Sequence, residues 1–185
     1  MKVVAFNGSA RKGGNTEYLI KYVFEELEKE GIETELVNLS GKHPHGCIAC
    51  YQCFKKKNRR CIVDADCINE CIEKMEEADG IILASPTYFA DLSSELKALI
   101  DRTGMVSRAN GDMYRRKVGA AVVARRRGGA IHVFDSINHF FTMYQMNRSI
   151  CPIFSICIIG VCTMVKNHTI LHNFNQGSSI MFFSF

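Results

Sequence analysis

No stretch of this sequence is long and apolar enough to read as a membrane span. The best candidate, Ile150 to Val165, is shorter than the ~20 apolar residues a bilayer requires and is broken by Pro152 and Ser155. A secretory leader is not legible either, because Met1-Lys2-Val3-Val4-Ala5-Phe6 reaches Gly8 before a leader's apolar core could form. We therefore expect a cytoplasmic, reducing location, where a disulfide framework is disfavoured. Charge of one sign is not in excess. The net charge is +4, and the basic runs (Lys55 to Lys57 with Arg59 and Arg60, Arg115 to Lys117, Arg125 to Arg127) are short and scattered, which argues against nucleic acid as a partner. Charged residues at 23% and hydrophobic ones at 47% describe one ordinary globular domain.

Two familiar phosphate-binding signatures are also missing. The glycine-rich segment Gly8-Ser9-Ala10-Arg11-Lys12-Gly13-Gly14-Asn15-Thr16 lacks the Gly-Lys-Ser/Thr ending of a nucleoside-triphosphate loop, and its glycines miss the dinucleotide spacing. What it has is a preceding apolar run (residues 2 to 6) and a following amphipathic stretch to Glu30, stopped by Gly31. Leu19, Tyr22, Val23 and Leu27 read as the apolar face of that stretch. A strand passing through such a loop into a helix presents free N–H groups and the helix dipole to an anion. Ser9, Asn15, Thr16 and the cation of Arg11 suit a terminal phosphate monoester, with Gly14 allowing close approach. An ordinary strand–turn–helix connection with Thr16 as a cap is the plainer alternative.

Nine cysteines then call for metal binding or catalysis. Cys47, Cys50 and Cys53 stand two residues apart and Cys61 follows after seven, a spacing that can wrap four thiolates around one inorganic group, as iron–sulfur sites do. Cys67 and Cys71 leave other options open. Both could join Cys61 and either Cys50 or Cys53 in a tetrahedral zinc site, or serve as small buried hydrophobes at i, i+4 on a helix.

The rest of the chain alternates strand and helix patterns. Residues 33 to 39 alternate as a strand, and 68 to 77 read as a helix with Ile68, Ile72 and Met75 on one side. The run 78 to 84 is continuously apolar, as in a central parallel strand. It ends at Ser85-Pro86-Thr87-Tyr88-Phe89, after which Ser93 or Ser94 caps a helix to about Arg102. Val118 to Ala124 reads as a fourth strand opening into Arg125-Arg126-Arg127-Gly128-Gly129, and His132 to Tyr144 as a helix. This alternation predicts an α/β doubly wound parallel sheet whose ligand sits beyond the strands' carboxyl ends. The loops 7–16, 85–91 and 124–129 should converge there. One is suited to phosphate and the next, with Pro86, Thr87, Tyr88 and Phe89, to a flat heteroaromatic ring, so a flavin mononucleotide fits best.

These motifs resemble the flavodoxin-like NAD(P)H-dependent FMN reductases, and within them the iron–sulfur flavoproteins. The resemblance is carried by Gly8 to Arg11, Gly14 to Thr16, the cysteine run 47 to 61, Ser85 to Phe89 and Leu96 to Arg102, and it covers about residues 1 to 142. It implies strand order 2-1-3-4-5 and non-covalent FMN, with phosphate on Ser9, Arg11, Asn15 and Thr16 and ring against Pro86 to Phe89. Arg126 and Gly128 are added from the third loop. It further implies a [4Fe-4S] cluster on Cys47, Cys50, Cys53 and Cys61, and homo-oligomers in which cluster and flavin of neighbouring subunits exchange electrons. The donor or acceptor would be NAD(P)H, a ferredoxin-like protein or a quinone. No side chain stands out as general acid or nucleophile. The expected function is an FMN iron–sulfur electron carrier; a cluster-free reductase of quinones or nitro compounds and a zinc-stabilised binding module are the alternatives.

Acidic residues are absent after Asp135. Arg148 and Lys166 are the last basic ones, and 167–185 lacks the helical periodicity with which such a sheet should finish. The domain is accordingly read as 1–142, with 143–185 a discordant tail of the kind an altered reading frame would write. The run 150–165 is its candidate fifth strand.

Overall fold

The computed structural model describes residues 1–148 and 160–161. Strand β1 (Lys2–Asn7) is followed by helix α1 (Asn15–Lys29), β2 (Glu33–Asn38), a short α2 (Gln52–Lys56), α3 (Ile68–Glu77), β3 (Gly80–Pro86), α4 (Ser94–Ala109), β4 (Val118–Arg125) and α5 (Ala130–Met143). All pairings are parallel, in the order β2-β1-β3-β4, with the two-residue β5 (Asn147–Arg148) next to β4 at Val118–Gly119. Another two-residue strand, β6 (Gly160–Val161), pairs with β4 at Ala124–Arg125. The sheet is the doubly wound parallel one the alternation predicts, in the strand order the resemblance implies.

Period-two alternation sorts the sheet residues between two cores. Val4, Phe6, Ile81, Leu83, Ala121 and Val123 face α3, α4 and α5, while Val3, Ala5, Ile82, Ala84 and Val122 face α1. Among the described residues α1 alone covers the second face. The stripe on α1 is Ile20, Val23, Phe24 and Leu27, not the expected set, since Tyr22 is exposed and Leu19 is only partly buried. The α1 face is thus rotated toward Ile20 and Phe24, which meet the small residues Ala5 and Ala84 of the central strands. Helix α4 runs seven residues past Arg102 to Ala109, because Thr103, Val106, Ser107 and Ala109 continue its buried face. Ser93 caps it, its Oγ accepting from Leu96 N at 3.3 Å. Helix α2 lies inside the cysteine segment, where no helix was read.

The core continues past the expected boundary at residue 142. Tyr144 and Met146 are buried, and Tyr144 packs its ring on Phe140 at 4.9 Å between centroids. The candidate strand 150–165 otherwise falls outside the described residues, as does the rest of the tail.

Gly119 of β4 lies under α5, where an added Cβ would stand 2.8 Å from two ring carbons of Phe141. Phe141 is fully buried and has no room to retreat. Gly119→Ala should therefore overpack this contact and cost about 1–3 kcal/mol, read as a lower midpoint in urea unfolding; an unchanged midpoint would contradict the packing described.

Candidate functional site

The carboxyl ends of β1, β3 and β4 place three loops side by side. Chain direction across the sheet reverses between β1 and β3, so the crevice of a doubly wound sheet opens there. The loops are joined by backbone bonds: Gly8 N donates to Ala84 O at 2.8 Å, and Thr87 N donates to Ala124 O at 2.8 Å. Gly8 has no space for a side chain, because a Cβ would meet Ser93 Oγ at 2.6 Å and Leu96 Cβ at 2.8 Å. This close approach is what holds the first loop against the start of α4.

Within the first loop the buried Asn7 orders the turn. Its side chain accepts from Ser9 N at 3.0 Å and donates to Asn38 Oδ1 at 2.8 Å. Ser9 is buried, and its Oγ accepts from Arg11 N at 3.2 Å. Gly13 takes the left-handed conformation at φ 64°, and Gly14 is the extended N-cap residue of α1. No side chain caps that helix, so the capping role considered for Thr16 is not what the loop uses. Thr16 is buried, and Asn15 and Arg11 are exposed. Glu17, in the first turn, accepts from Gly13 N at 3.0 Å and from Lys21 Nζ at 2.7 Å. Lys21 first, and then the Gly13 N–H, hold its carboxyl below the usual range. An uncapped helix N-terminus with hydroxyls at its mouth fits a phosphate monoester.

The second loop is strained at its tip. Phe89 (φ 49°) and Ala90 (φ 71°) both occupy the left-handed region. A two-way bridge between Tyr88 and Asp91, with N···O distances of 2.7 and 3.3 Å, closes the turn and leaves both aromatic rings in solvent, Phe89 fully and Tyr88 at 66%. Thr87 Oγ1 is buried without a hydrogen-bond partner, as is Nε of Arg125 at the start of the third loop. Arg126 and Gly128 are exposed, and Gly129 (φ 85°) packs against Thr87. Unpaired polar atoms beside exposed aromatics are what a heteroaromatic ring with hydrogen-bonding edges would satisfy. The sequence reading missed Asp91, whose carboxylate accepts from Ser136 Oγ at 3.2 Å and pairs with His132 at 3.3 Å, tying this loop to α5.

Around the cysteines the chain winds tightly. Ala49 and Tyr51, with φ 52° and 53°, and Lys57 and Arg59 are in the left-handed region, and α2 turns between them. Cys47, Cys50, Cys53 and Cys61 are all free thiols and together line one recess, with Gly46, Ile48, Tyr51, Ile62, Val63, Arg102, Met105 and Val106. The recess is shallow and opens to solvent, with a cavity volume of about 20 Å³. Among the described residues no three His, Cys, Asp or Glu side chains are close enough to hold one metal ion. Four thiols lining one recess are the donor set that a thiolate-held iron–sulfur cluster requires.

Cys67 and Cys71 are not part of this recess. Cys71 is fully buried in the core, and the half-buried Cys67 packs against it. Burial pushes both thiols above the ordinary cysteine range, and Cys53 above it as well. The structure thus favours the small-hydrophobe reading of this pair over zinc.

Two clamps hold the cysteine segment. Asn69 of α3 accepts from Cys61 N at 2.8 Å and donates to Cys61 O at 3.0 Å and Asp64 Oδ1 at 2.6 Å. Arg102 of α4 forms a buried ion pair with Asp66 and donates to the carbonyls of His45 and Val63, on either side of the recess. Neither Asn69 nor Arg102 was assigned a role from the sequence. Asn69 stands on the same helical face as Ile68 and Ile72, a polar residue in an apolar stripe, which is the one signal that could have found it. Arg59 and Arg60 pair with Glu76, Glu73 and Asp64, so this basic run is tethered to α3 and is not free loop charge.

Fold and site together place the chain among the flavodoxin-like α/β proteins. Solved structures agree: RosB, crystallised with 8-demethyl-8-formylriboflavin-5'-phosphate, superposes with a TM-score of 0.61 at 22% identity over 80% of this chain and 61% of its own. A flavodoxin from the domain Archaea gives 0.53 at 16% identity, covering 80% and 78%. The chain belongs to the NADPH-dependent FMN reductase family, whose model matches residues 1–153, and so to the flavin-dependent oxidoreductases. It is 40% identical to an iron-sulfur flavoprotein of Methanocaldococcus jannaschii over 148 residues, 79% of this chain and 74% of that protein. Identity to an iron-sulfur flavoprotein of Methanosarcina thermophila is 37% over 148 residues, 79% and 75% of the two chains.

Burial pushes the Asp66 carboxyl up, but the N–H groups of His45 and Ile68 and the Arg102 guanidinium outweigh it and hold it below the usual range. A depressed folded pKa stabilises the fold above the unfolded value of about 3.9, and this contribution is lost as pH falls through the lower folded value. Asp66→Asn should cost about 3–5 kcal/mol at neutral pH, because Arg102 is left buried and uncompensated, and should flatten the acid limb of stability. Urea unfolding of both proteins at neutral and acid pH measures this.

Proposed function

We propose that this chain is an electron-transferring iron–sulfur flavoprotein that holds FMN at the carboxyl edge of its sheet and a [4Fe-4S] cluster on Cys47, Cys50, Cys53 and Cys61. The observation that carries this reading is the single recess lined by those four free thiols, in a member of an FMN reductase family. Relatives named iron-sulfur flavoproteins, at up to 40% identity, support it.

Bound FMN would supply hydride chemistry and the cluster one-electron chemistry, so that a two-electron donor can serve a one-electron acceptor. The chain's own contribution is positioning. Ser9, Arg11, Asn15, Thr16 and the N–H groups after Gly14 would hold the phosphate. Pro86 to Phe89 would flank the ring, Thr87 Oγ1 would gain a partner, and Arg126 and Gly128 would border it. Exposed Tyr88 and Phe89 would also be sheltered by a neighbouring subunit in a homo-oligomer. NAD(P)H, a ferredoxin-like protein or a quinone would exchange electrons there. Among the described residues no helix is long and apolar enough to cross a membrane.

Protein purified without air should show flavin bands with a broad shoulder at longer wavelength, and iron and acid-labile sulfide near four of each per chain, as the cluster formula requires. Cys50→Ser should abolish the shoulder and spare the flavin. Flavin bands alone in the wild-type protein would instead identify a cluster-free NAD(P)H-dependent reductase, and a colourless protein that ignores added FMN would overturn the flavin reading.

Thr16→Val removes a buried hydroxyl from the phosphate site while keeping its shape. A hydrogen bond to a charged group is worth about 1.5–3 kcal/mol, so the Kd for FMN should rise by roughly ten- to one-hundredfold. Quenching of flavin fluorescence on titration with the apoprotein measures it.

A further inference from the structure

Arg102 is more than a clamp. Its side chain is 1% exposed and lines the cysteine recess together with Met105 and Val106 of the same helix. Both terminal nitrogens are engaged: one donates to the Asp66 carboxylate and to His45 O at 3.3 Å, and the other to Val63 O. Nε is left buried without any partner. A guanidinium cannot shed its proton, and a buried N–H without an acceptor costs about 1–3 kcal/mol. An unpaired donor on a side chain that lines a four-thiol recess points to an acceptor that the protein alone does not provide.

We propose that the Arg102 Nε–H donates a hydrogen bond to a sulfur of the cluster, making Arg102 a positioning residue that sets the cluster's reduction potential. This rests on the cluster reading above. Hydrogen bonds to cluster sulfurs and nearby positive charge favour the more negative, reduced state and so raise the potential. The surroundings fix the donor for this task. Asp66 and the two carbonyls hold the guanidinium from its far end, so Nε is pre-oriented and not free to turn away. Arg59 and Arg60, the neighbouring cations, are engaged with carboxylates of Glu76, Glu73 and Asp64.

The test uses full-length protein reconstituted anaerobically with iron and sulfide, in wild-type and Arg102→Lys forms. The lysine keeps a positive charge for Asp66 and lacks Nε–H. Iron and sulfide per chain should be retained, and an EPR-monitored redox titration should place the variant's midpoint at a more negative potential. A purely structural role would alter melting or cluster retention and leave the midpoint of the retained cluster in place; that result overturns the proposal. A second measurement needs no Arg102 variant. Wild-type protein grown on arginine labelled with ¹⁵N at Nε should show a ¹⁵N coupling in the pulsed EPR of its reduced cluster, kept in an Arg60→Lys background, and absence of the coupling overturns the proposal. Wild-type protein that takes up no iron and sulfide overturns the cluster reading itself, whereas a loaded cluster with no coupling and an unshifted midpoint overturns the Arg102 assignment alone.

Discussion

A buried ion pair between Arg102 and Asp66 joins the two parts of this molecule. On one side is the sheet with its helices, which would fold by its hydrophobic pattern in any flavodoxin-like protein. On the other is the cysteine segment, whose recess-lining residues are mostly half-buried or exposed and whose backbone enters the left-handed region at Ala49, Tyr51, Lys57 and Arg59. Such a segment has little apolar area with which to offset its conformational entropy. Arg102 supplies the anchorage instead. It binds a carboxylate and two carbonyls drawn from both ends of the segment, and Asp66 in turn accepts the N–H groups of His45 and Ile68. A buried charge pair is weak evidence of net stability; here its value is that it defines one geometry for the loop.

The crevice is organised by a different constraint, the close approach of loops at the carboxyl edge. Gly8 is under the start of α4 with no space for a Cβ, and its N–H is bound to Ala84 of the neighbouring strand. That contact fixes the first loop relative to the second. The third loop is fixed to the second in the same way, through Thr87 N and Ala124 O. Polar atoms left over after this packing, Thr87 Oγ1 and Arg125 Nε, mark where the protein's own hydrogen bonding ends. The crevice and the recess share α4: its N-terminus packs on the glycine-rich loop and its middle carries Arg102 at the cysteine recess. One rigid helix of sixteen residues therefore sets the spacing between them.

The order of elements, the parallel sheet and the crevice were all legible from the linear pattern. Runs without a charge at 3–6 and 80–84 mark strands buried on both faces, and amphipathic stretches between strands mark crossover helices. The errors have local causes. Tyr22 was placed inside because aromatic residues count as apolar, but a turn of one residue on the helix puts Ile20 and Phe24 against Ala5 and Ala84. The sequence reading ended α4 at about Arg102, where an arginine and then Gly104 interrupt the apolar pattern. In the fold Arg102 is buried by its ion pair, and Gly104 makes room for Tyr144, whose hydroxyl would lie 2.9 Å from an added Cβ.

From the sequence alone came the family, the glycine loop, the aromatic loop and the four spaced cysteines, because each is a local run whose chemistry depends on neighbours in the chain. Tertiary structure alone decided that those thiols share one recess and that Cys67 and Cys71 belong to the core. It also decided that Asn69, Asp66 and Arg102 hold the recess in shape. The partners of Arg102 lie 36, 39 and 57 residues away from it, and no spacing rule reaches across such separations. Only the packing of α3 and α4 on the sheet brings them within hydrogen-bonding distance.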